Sequence, residues 1–384
     1  MSMTDQVPES LQHFLFSIED PRTNTWLVRY PLEFLLLSAL LAVMCGADSF
    51  FQIALWTRSQ RRWLETLIEV PEQTPSHDTY SRVFALLDAS VLESAFSTWT
   101  RVLAGKVKGF VALDGKTVRA SRDDETPALH LLNAWASENA MILGQMRVED
   151  HENEIVGLPR LIQALDLEEC TITIDAMGCQ VDIAQAIVDQ GADYVLRVKA
   201  NQKQLHLDLI DLFDTLRDPP AQDQHIPHVF WEHVDKGHGR LEIRRAWATS
   251  RRDDIASLER WPELESVVLV ESLRENLTTG EQTRQLKYFI SSHRVKTQEQ
   301  LEELARGIRQ HWGVENKVHW VLDVQMNEDR STSRRGSSGQ ILSLWRKLAL
   351  NMYRNHKEET AGAKAKMMLA ANDKDYLLRV LASE

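Results

Sequence analysis

The chain has 384 residues, 43% hydrophobic and 26% charged, which is enough for two or three globular domains and unlike a disordered or low-complexity chain. Its three cysteines, Cys45, Cys170 and Cys179, form no CxxC pair, which argues against a disulfide scaffold or a Cys-rich zinc module and suits a reducing cytoplasm. A net charge of −12 argues against non-specific coating of nucleic acid, but leaves local basic patches open at 58–63, 244–252 and 330–335, each of which alone reads as a solvated face.

Residues 1–105 read as helical. The first thirty are polar and acidic, with no secretory signal. The apolar run "FLLLSALLAVMCGA" is 14 residues long, too short to span a bilayer, and reads as a buried helix ended by Gly46. "SFFQIALWTRSQRRWLETLI" follows with helical spacing. Ser76 or Asp78 can cap the next helix, and Asp88 or Ser90 the one after. No catalytic spacing appears, so this part is expected to be an accessory or DNA-contacting domain.

The pattern changes at "GFVALDGKTVRAS" (109–121), a short strand ending on Asp114-Gly115. "LHLLNAWAS" and "MILGQMRVE" read as a hairpin turning at Glu138-Asn139. "NEIVGLPRLIQALDL" is an amphipathic helix, and "CTITI" is a β-branched strand ending on Asp175. "GCQVDIAQAIVDQG" is a helix closed by Gly191, and "DYVLRV" is a strand ending on Lys199. The order is β-β-β-α-β-α-β. A helix over 206–225 then runs into "DPPAQDQ", and 228–292 reads as four strands, a β-rich insertion containing the turn Gly237-His238-Gly239-Arg240. Helix returns from the Thr297 cap through "HWGVENKVHWVLDV", and the tail from about 340 reads as two further helices.

Two features carry chemistry. Asp114 and Asp175 each follow a hydrophobic strand, and in an open α/β sheet the functional edge lies beyond strand ends. If the first and fourth strands are neighbours, the two carboxylates crowd together, a repulsion that Mg²⁺ would relieve. Taken singly, an Asp after a strand is as readily a turn former or cap. The second feature is the spacing His311, Glu315, His319, Asp323, which on an α-helix forms one slanted stripe with a drift of about 40° per step. The stripe can be a solvated face with His–acid pairing, a metal site, or the source of one acid for a distant catalytic set. In the last case Glu315 is the first choice and Asp323 the second. Trp312 and Trp320 read as core anchors, and Asp323 as a cap or a partner of His319.

These segments bring a known family into view. "ALDGKTVRAS", "NEIVGLPRLIQALDL", "TITIDAMGCQ", "GADYVLRVKANQ", "KGHGRLEIR" and "IRQHWGVENKVHWVLDVQMNED" resemble DDE transposases of bacterial insertion sequences, in the ISAs-type branch that includes the H-repeat-associated proteins. The resemblance covers roughly residues 20–355. It implies an α/β fold: an RNase H-like mixed-sheet core interrupted by a β-rich insertion, with an N-terminal helical domain. The expected divisions are 1–105 (helical), 106–205 (core, first part), 206–294 (insertion), 295–356 (core with the Glu-bearing helix) and 357–384 (helical tail).

The resemblance also implies a catalytic and metal-binding triad of Asp114, Asp175 and Glu315 holding two Mg²⁺ ions, for which Mn²⁺ substitutes, and DNA strand cleavage and transfer. Its substrates would be the terminal inverted repeats and target DNA, in a cytoplasmic, nucleoid-associated protein with no membrane segment, and its expected protein partner would be a second copy of the chain, in a homodimer. Lys116, Arg119, Lys199, Asn201, Arg240, His311 and His319 are the DNA-contact candidates. Related enzymes with a β-insertion carry Tyr-x2-Arg-x3-Glu-x6-Lys, whereas here Ile308, His311 and Leu322 fill the other three places around Glu315. His151 and Glu152 stand where the branch usually has a Lys-Ser pair. The main alternative is an inactive, transposase-derived DNA-binding protein. Two further rivals are a zinc hydrolase using His311, Glu315 and His319, which lacks HExxH and leaves Asp114 and Asp175 unexplained, and a host nuclease of the same fold.

Overall fold

Strand and helix patterns of the sequence reappear in a computed structural model that describes residues 3–24, 26, 28–217, 226–237, 239–251 and 255–383. The "DPPAQDQ" segment and His238 lie outside the described residues. The N-terminal region forms α1 (Glu9–Phe16), α2 (Leu32–Met44), α3 (Phe50–Ser59), α4 (Arg61–Leu64), α5 (His77–Leu86) and α6 (Ala89–Ala104). Then come β1 (Gly109–Val118), β2 (Leu129–Ala136), β3 (Met141–Val148), α7 (Glu154–Ala164), β4 (Cys170–Ile174), α8 (Val181–Asp189), β5 (Asp193–Val198) and α9 (Lys203–Arg217). The insertion is β6 (Val229–Gly237), β7 (Arg240–Thr249), β8 (Ser266–Asn276) and β9 (Gln282–Ser291). It is followed by α10 (Gln298–Gln310), α11 (Ser338–Asn355), α12 (Ala363–Asn372) and α13 (Lys374–Leu381).

The strand order is β3-β2-β1-β4-β5-β9-β8-β7-β6. β1, β4 and β5 pair in parallel, β2 with β3 antiparallel, and the insertion strands antiparallel from β5 outward. This is a nine-stranded mixed sheet, parallel at β1, β4 and β5 and extended by the β-rich insertion, with helices N-terminal to it in sequence, as expected of the α/β class. The chain forms two compact units. One contains Met1–Val107, Gly115–Asn153 and Val314–Glu384; the other contains Lys108–Asp114 and Glu154–Gly313.

In the first unit the apolar run is α2, buried along almost its whole length, and Gly46 after it takes a left-handed φ of 97°. The indole of Trp345 donates to the Leu36 carbonyl at 3.1 Å and meets the Phe84 ring edge-on. Ser76 caps α5 and Asp88 caps α6. The tail has three helices where the sequence pattern suggested two. Asp373 interrupts the run and caps α13 through the backbone N–H groups of Asp375 and Tyr376, a local alternative that competes with a continuous helix.

In the second unit α10 is started by a reciprocal capping box between Thr297 and Gln300. Its apolar stripe, Leu301, Leu304, Ala305 and Ile308, packs on Phe110, Val195, Val268, Val270 and Phe289 of the sheet. Gly307 is needed where α10 crosses β1: a Cβ there would stand 2.1 Å from the Phe110 ring.

Candidate active site

Parallel pairing fixes the position of the first two acids. β1 and β4 run in register to Leu113↔Ile174, and the next residues, Asp114 and Asp175, stand side by side where this ladder ends; Asp175 lies just past β4, but Asp114 does not end its strand as the sequence pattern suggested, because β1 continues to Val118. Both are partly buried. The sequence-derived neighbourhood of the two strands is therefore present, and the cap reading of Asp175 is present with it. Asp175 Oδ1 accepts from the Met177 N–H at 3.0 Å and opens the 3₁₀ turn Ala176–Gly178. Gly178 closes that turn against β4, where a Cβ would fall 2.2 Å from Ile174 Cγ2.

Several side chains brace this edge within the same unit. Asn201 Nδ2 donates to the Ala176 carbonyl at 2.6 Å, so its amide ties the end of β5 to the turn after Asp175. His311, the C-cap of α10, shares a 3.0 Å hydrogen bond between Nδ1 and Thr173 Oγ1. Burial pushes His311 down to about 4, outweighing the opposing pull of Asp175. Its imidazole is thus neutral near pH 7. Asn201 and His311, both expected as DNA contacts, thus each make a hydrogen bond within this edge. Arg197, on β5, was not singled out by sequence reasoning. It is partly buried, its Nε has no hydrogen-bond partner, and Asp175 opposes the downward push of burial on its pKa. The signal was available: one Arg breaks the apolar strand "DYVLRV". Lys199 is exposed just beyond β5, and Arg240 is exposed at the start of β7.

In the first unit, Glu315 is exposed on a π-helical turn, Val314–His319, followed by a second, Val321–Gln325. α10 has already ended at Gln310, so the four ionisable residues do not share one α-helix, and the regular i,i+4 stripe is not formed. A π-turn shifts the repeat from i+4 toward i+5. Asp323 pairs with Lys116 at 2.6 Å instead of capping or pairing with His319. Lys116 is the clearest correction. Its side chain is 5% exposed and surrounded by Asp323, Glu328 at 2.9 Å and Asp329 at 3.5 Å, which leaves it little reach toward a phosphate. Arg119 is 84% exposed and pairs with Asp329 at 3.4 Å. His319 is partly buried. Trp312 and Trp320 are each 51% exposed, so neither is a core anchor.

Among the described residues, no group of three or more His, Cys, Asp or Glu is placed to hold one metal ion. The structure thus describes a two-aspartate edge. Its donors are hard carboxylate oxygens, the chemistry that suits Mg²⁺ and Mn²⁺ and not a thiolate- or imidazole-rich zinc site.

Known proteins match this chain over most of its length. The family model described as "DDE_Tnp_1-associated" matches residues 12–100, and that described as "Transposase DDE domain" matches residues 105–352. The chain belongs to the DDE transposase family. "Putative transposase YncI" of Escherichia coli O157:H7 is 34% identical over 98% of this chain and 95% of its own length. "H repeat-associated putative transposase YhhI" of Escherichia coli K12 is 33% identical over 97% of this chain and 98% of its own. A piggyBac transposase synaptic complex with hairpin DNA aligns at 11% identity and a TM-score of 0.40, covering 96% of this chain and 76% of that one. Among the described residues no helix is long and apolar enough to cross a membrane.

Proposed function

We propose that the chain cuts and rejoins DNA at the ends of an insertion sequence by phosphoryl transfer. The observation that carries this reading is the placement of Asp114 and Asp175 at one sheet edge, one residue beyond the pair Leu113↔Ile174. Glu315, in the family motif "HWGVEN", is the third acid of the set.

These three carboxylates would hold two Mg²⁺ ions, with Mn²⁺ able to replace them. When bound, the ions supply positive charge against the charge that develops on the phosphate oxygens. Water attacks a phosphodiester and the P–O3′ bond breaks, leaving a 3′-hydroxyl. That hydroxyl then attacks a target phosphodiester, so no protein nucleophile is required. The chain's own groups supply orientation. The Met177 N–H fixes Asp175 Oδ1, and the Asn201 and His311 contacts hold the turn and strand that carry it. Helical residues 1–105, Arg119, Lys199, Arg240 and His319 are the proposed DNA contacts.

The test is cleavage and strand transfer on a labelled DNA end taken from the gene's own flanks, with Mg²⁺ or Mn²⁺ and with EDTA. Wild type is compared with Asp114→Asn, Asp175→Asn and Glu315→Gln. Activity that EDTA and each substitution abolish supports the reading. Triad variants that cut as well as wild type would refute the site, and end binding without cutting by any form would leave an inactive DNA-binding derivative.

A further inference from the structure

We propose that Arg197, Lys199 and Lys287 form a phosphate seat that holds the DNA backbone beside Asp175. This rests on the DNA-processing reading above and adds residues to it.

All three lie in one unit. Arg197 and Lys199 are two apart at the end of β5 and so project to the same face of the sheet. Lys287 is on β9, one residue beyond the last β5–β9 pair, Val198↔Tyr288, which sets it opposite Lys199. Arg197 itself pairs with Phe289, part of the apolar core under α10. The cations therefore continue the α10-covered face past the helix's end, toward Asp175 and His311. Trp312 positions one of them: the Lys287 ammonium lies 4.9 Å from its ring centroid.

Charge balance points to the ligand. Among the described residues none of the three forms an ion pair or hydrogen bond through its charged group with a carboxylate. Nearby Arg274 differs, since it pairs with Glu242 at 3.2 Å. Burial pushes Lys287 down, and Arg197, Arg274 and Lys199 push it further by repulsion. In a chain of net charge −12, unpaired cations gathered at one edge have abundant carboxylates elsewhere to choose from. The arrangement is unfavourable for the protein alone and becomes favourable when a polyanion lies across it. The reacting polymer is such a polyanion, and its backbone has to approach Asp175 to react.

The test is the salt dependence of DNA binding. Fluorescence anisotropy with a labelled duplex from the gene's flanks, in EDTA so that no cutting occurs, would compare wild type, Arg197→Gln/Lys287→Gln, and a control, Lys296→Gln/Arg306→Gln, which removes two exposed cations elsewhere in the same unit. The slope of log K against log salt is expected to fall in magnitude by roughly 0.9 per lost contact, about 1.8 for the double variant, with the control unchanged. Lys199→Gln alters an exposed residue that cannot upset the fold and is expected to lower the slope by about half as much. Slopes equal to wild type, an equal drop in the control, or wild type that binds no DNA would each overturn the seat. Cleavage is scored separately. Wild type that cuts with unchanged slopes defeats the seat and keeps the transposase reading, whereas lowered slopes without any cutting keep the seat and defeat the catalytic reading.

Discussion

The ammonium of Lys116 lies 2.9 Å from the carboxylate of Glu328, a side chain with no solvent exposure. Asp323 and Asp329 complete the surround, and Ser343 donates to Glu328 at 2.6 Å. Burial pushes the Glu328 carboxyl up, but Lys347, Lys116 and Arg346 outweigh it and hold it down at about 2. Removing one cation leaves buried carboxylate charge uncompensated, which costs about 3–5 kcal/mol. Lys116→Met is therefore expected to lower unfolding stability by about that amount, read from the urea midpoint. A loss below about 1 kcal/mol would mean that Lys347 and Arg346 carry the compensation alone.

Asp175 has two separable tasks, and two substitutions divide them. Asp175→Asn keeps an oxygen that can accept from the Met177 N–H, so the cap survives while the negative charge goes. Asp175→Ala loses both. The Asn variant is expected to unfold within about 0.5 kcal/mol of wild type, and the Ala variant to lose about 0.5–2 kcal/mol more. Both are expected to be inactive in DNA cleavage. Equal stability of the two variants would show that the turn is held without the cap, by Asn201 and Gly178.

The aspartate edge was legible because it depends on local patterns: an apolar run before each Asp, in an element order that makes the two strands parallel neighbours, although β1 continues past Asp114 to Val118 and only β4 stops before its Asp. The cap at Thr297 was legible for the same reason. Side-chain destinations set by distant residues were not. Lys116 sits two residues past Asp114 and looks like a phosphate contact until Asp323, Glu328 and Asp329, over 200 positions away, are seen around it. The π-helical turns at Val314–His319 and Val321–Gln325 were equally hidden, because "VENKVHWVLDVQ" has ordinary helical composition.

Glu93 gives a pH dependence of definite sign. It accepts from Gln145 at 2.9 Å and Gln340 at 2.7 Å, and burial raises its carboxyl from 4.5 to about 7 despite those bonds. Between these values the folded chain holds more of the proton than the unfolded chain. Stability from this group is therefore fully present below about 4.5 and is lost as pH rises through 7. Glu93→Gln keeps an acceptor for both amides and cannot ionise. It is expected to be more stable than wild type at pH 8, by an amount on the order of 1–3 kcal/mol, and near equal at pH 4.5. Urea unfolding at both pH values checks it, and parallel pH profiles for the two proteins would count against a shifted Glu93.

The contact of Gly307 with Phe110 sets two opposing effects against each other. An alanine within a helix is favoured over glycine by about 1 kcal/mol, so helix propensity alone would make Gly307→Ala stabilising. Its Cβ, however, would lie 2.1 Å from a buried aromatic ring flanked by Val195 and Phe289. Overpacking of this kind costs about 1–3 kcal/mol, because either α10 or the start of β1 has to shift. The clash is expected to win, giving a net loss of about 1–2 kcal/mol in thermal or urea unfolding. Since Phe110 lies on the strand that delivers Asp114, the same substitution is expected to lower DNA cleavage beyond its effect on stability. Combining it with Phe110→Leu removes most of the ring that meets the new methyl, so the double variant should be more stable than the two single losses added together. Strict additivity would show that α10 and β1 separate easily at this crossing, and that the glycine is there for the helix's own backbone and not for the strand beneath it.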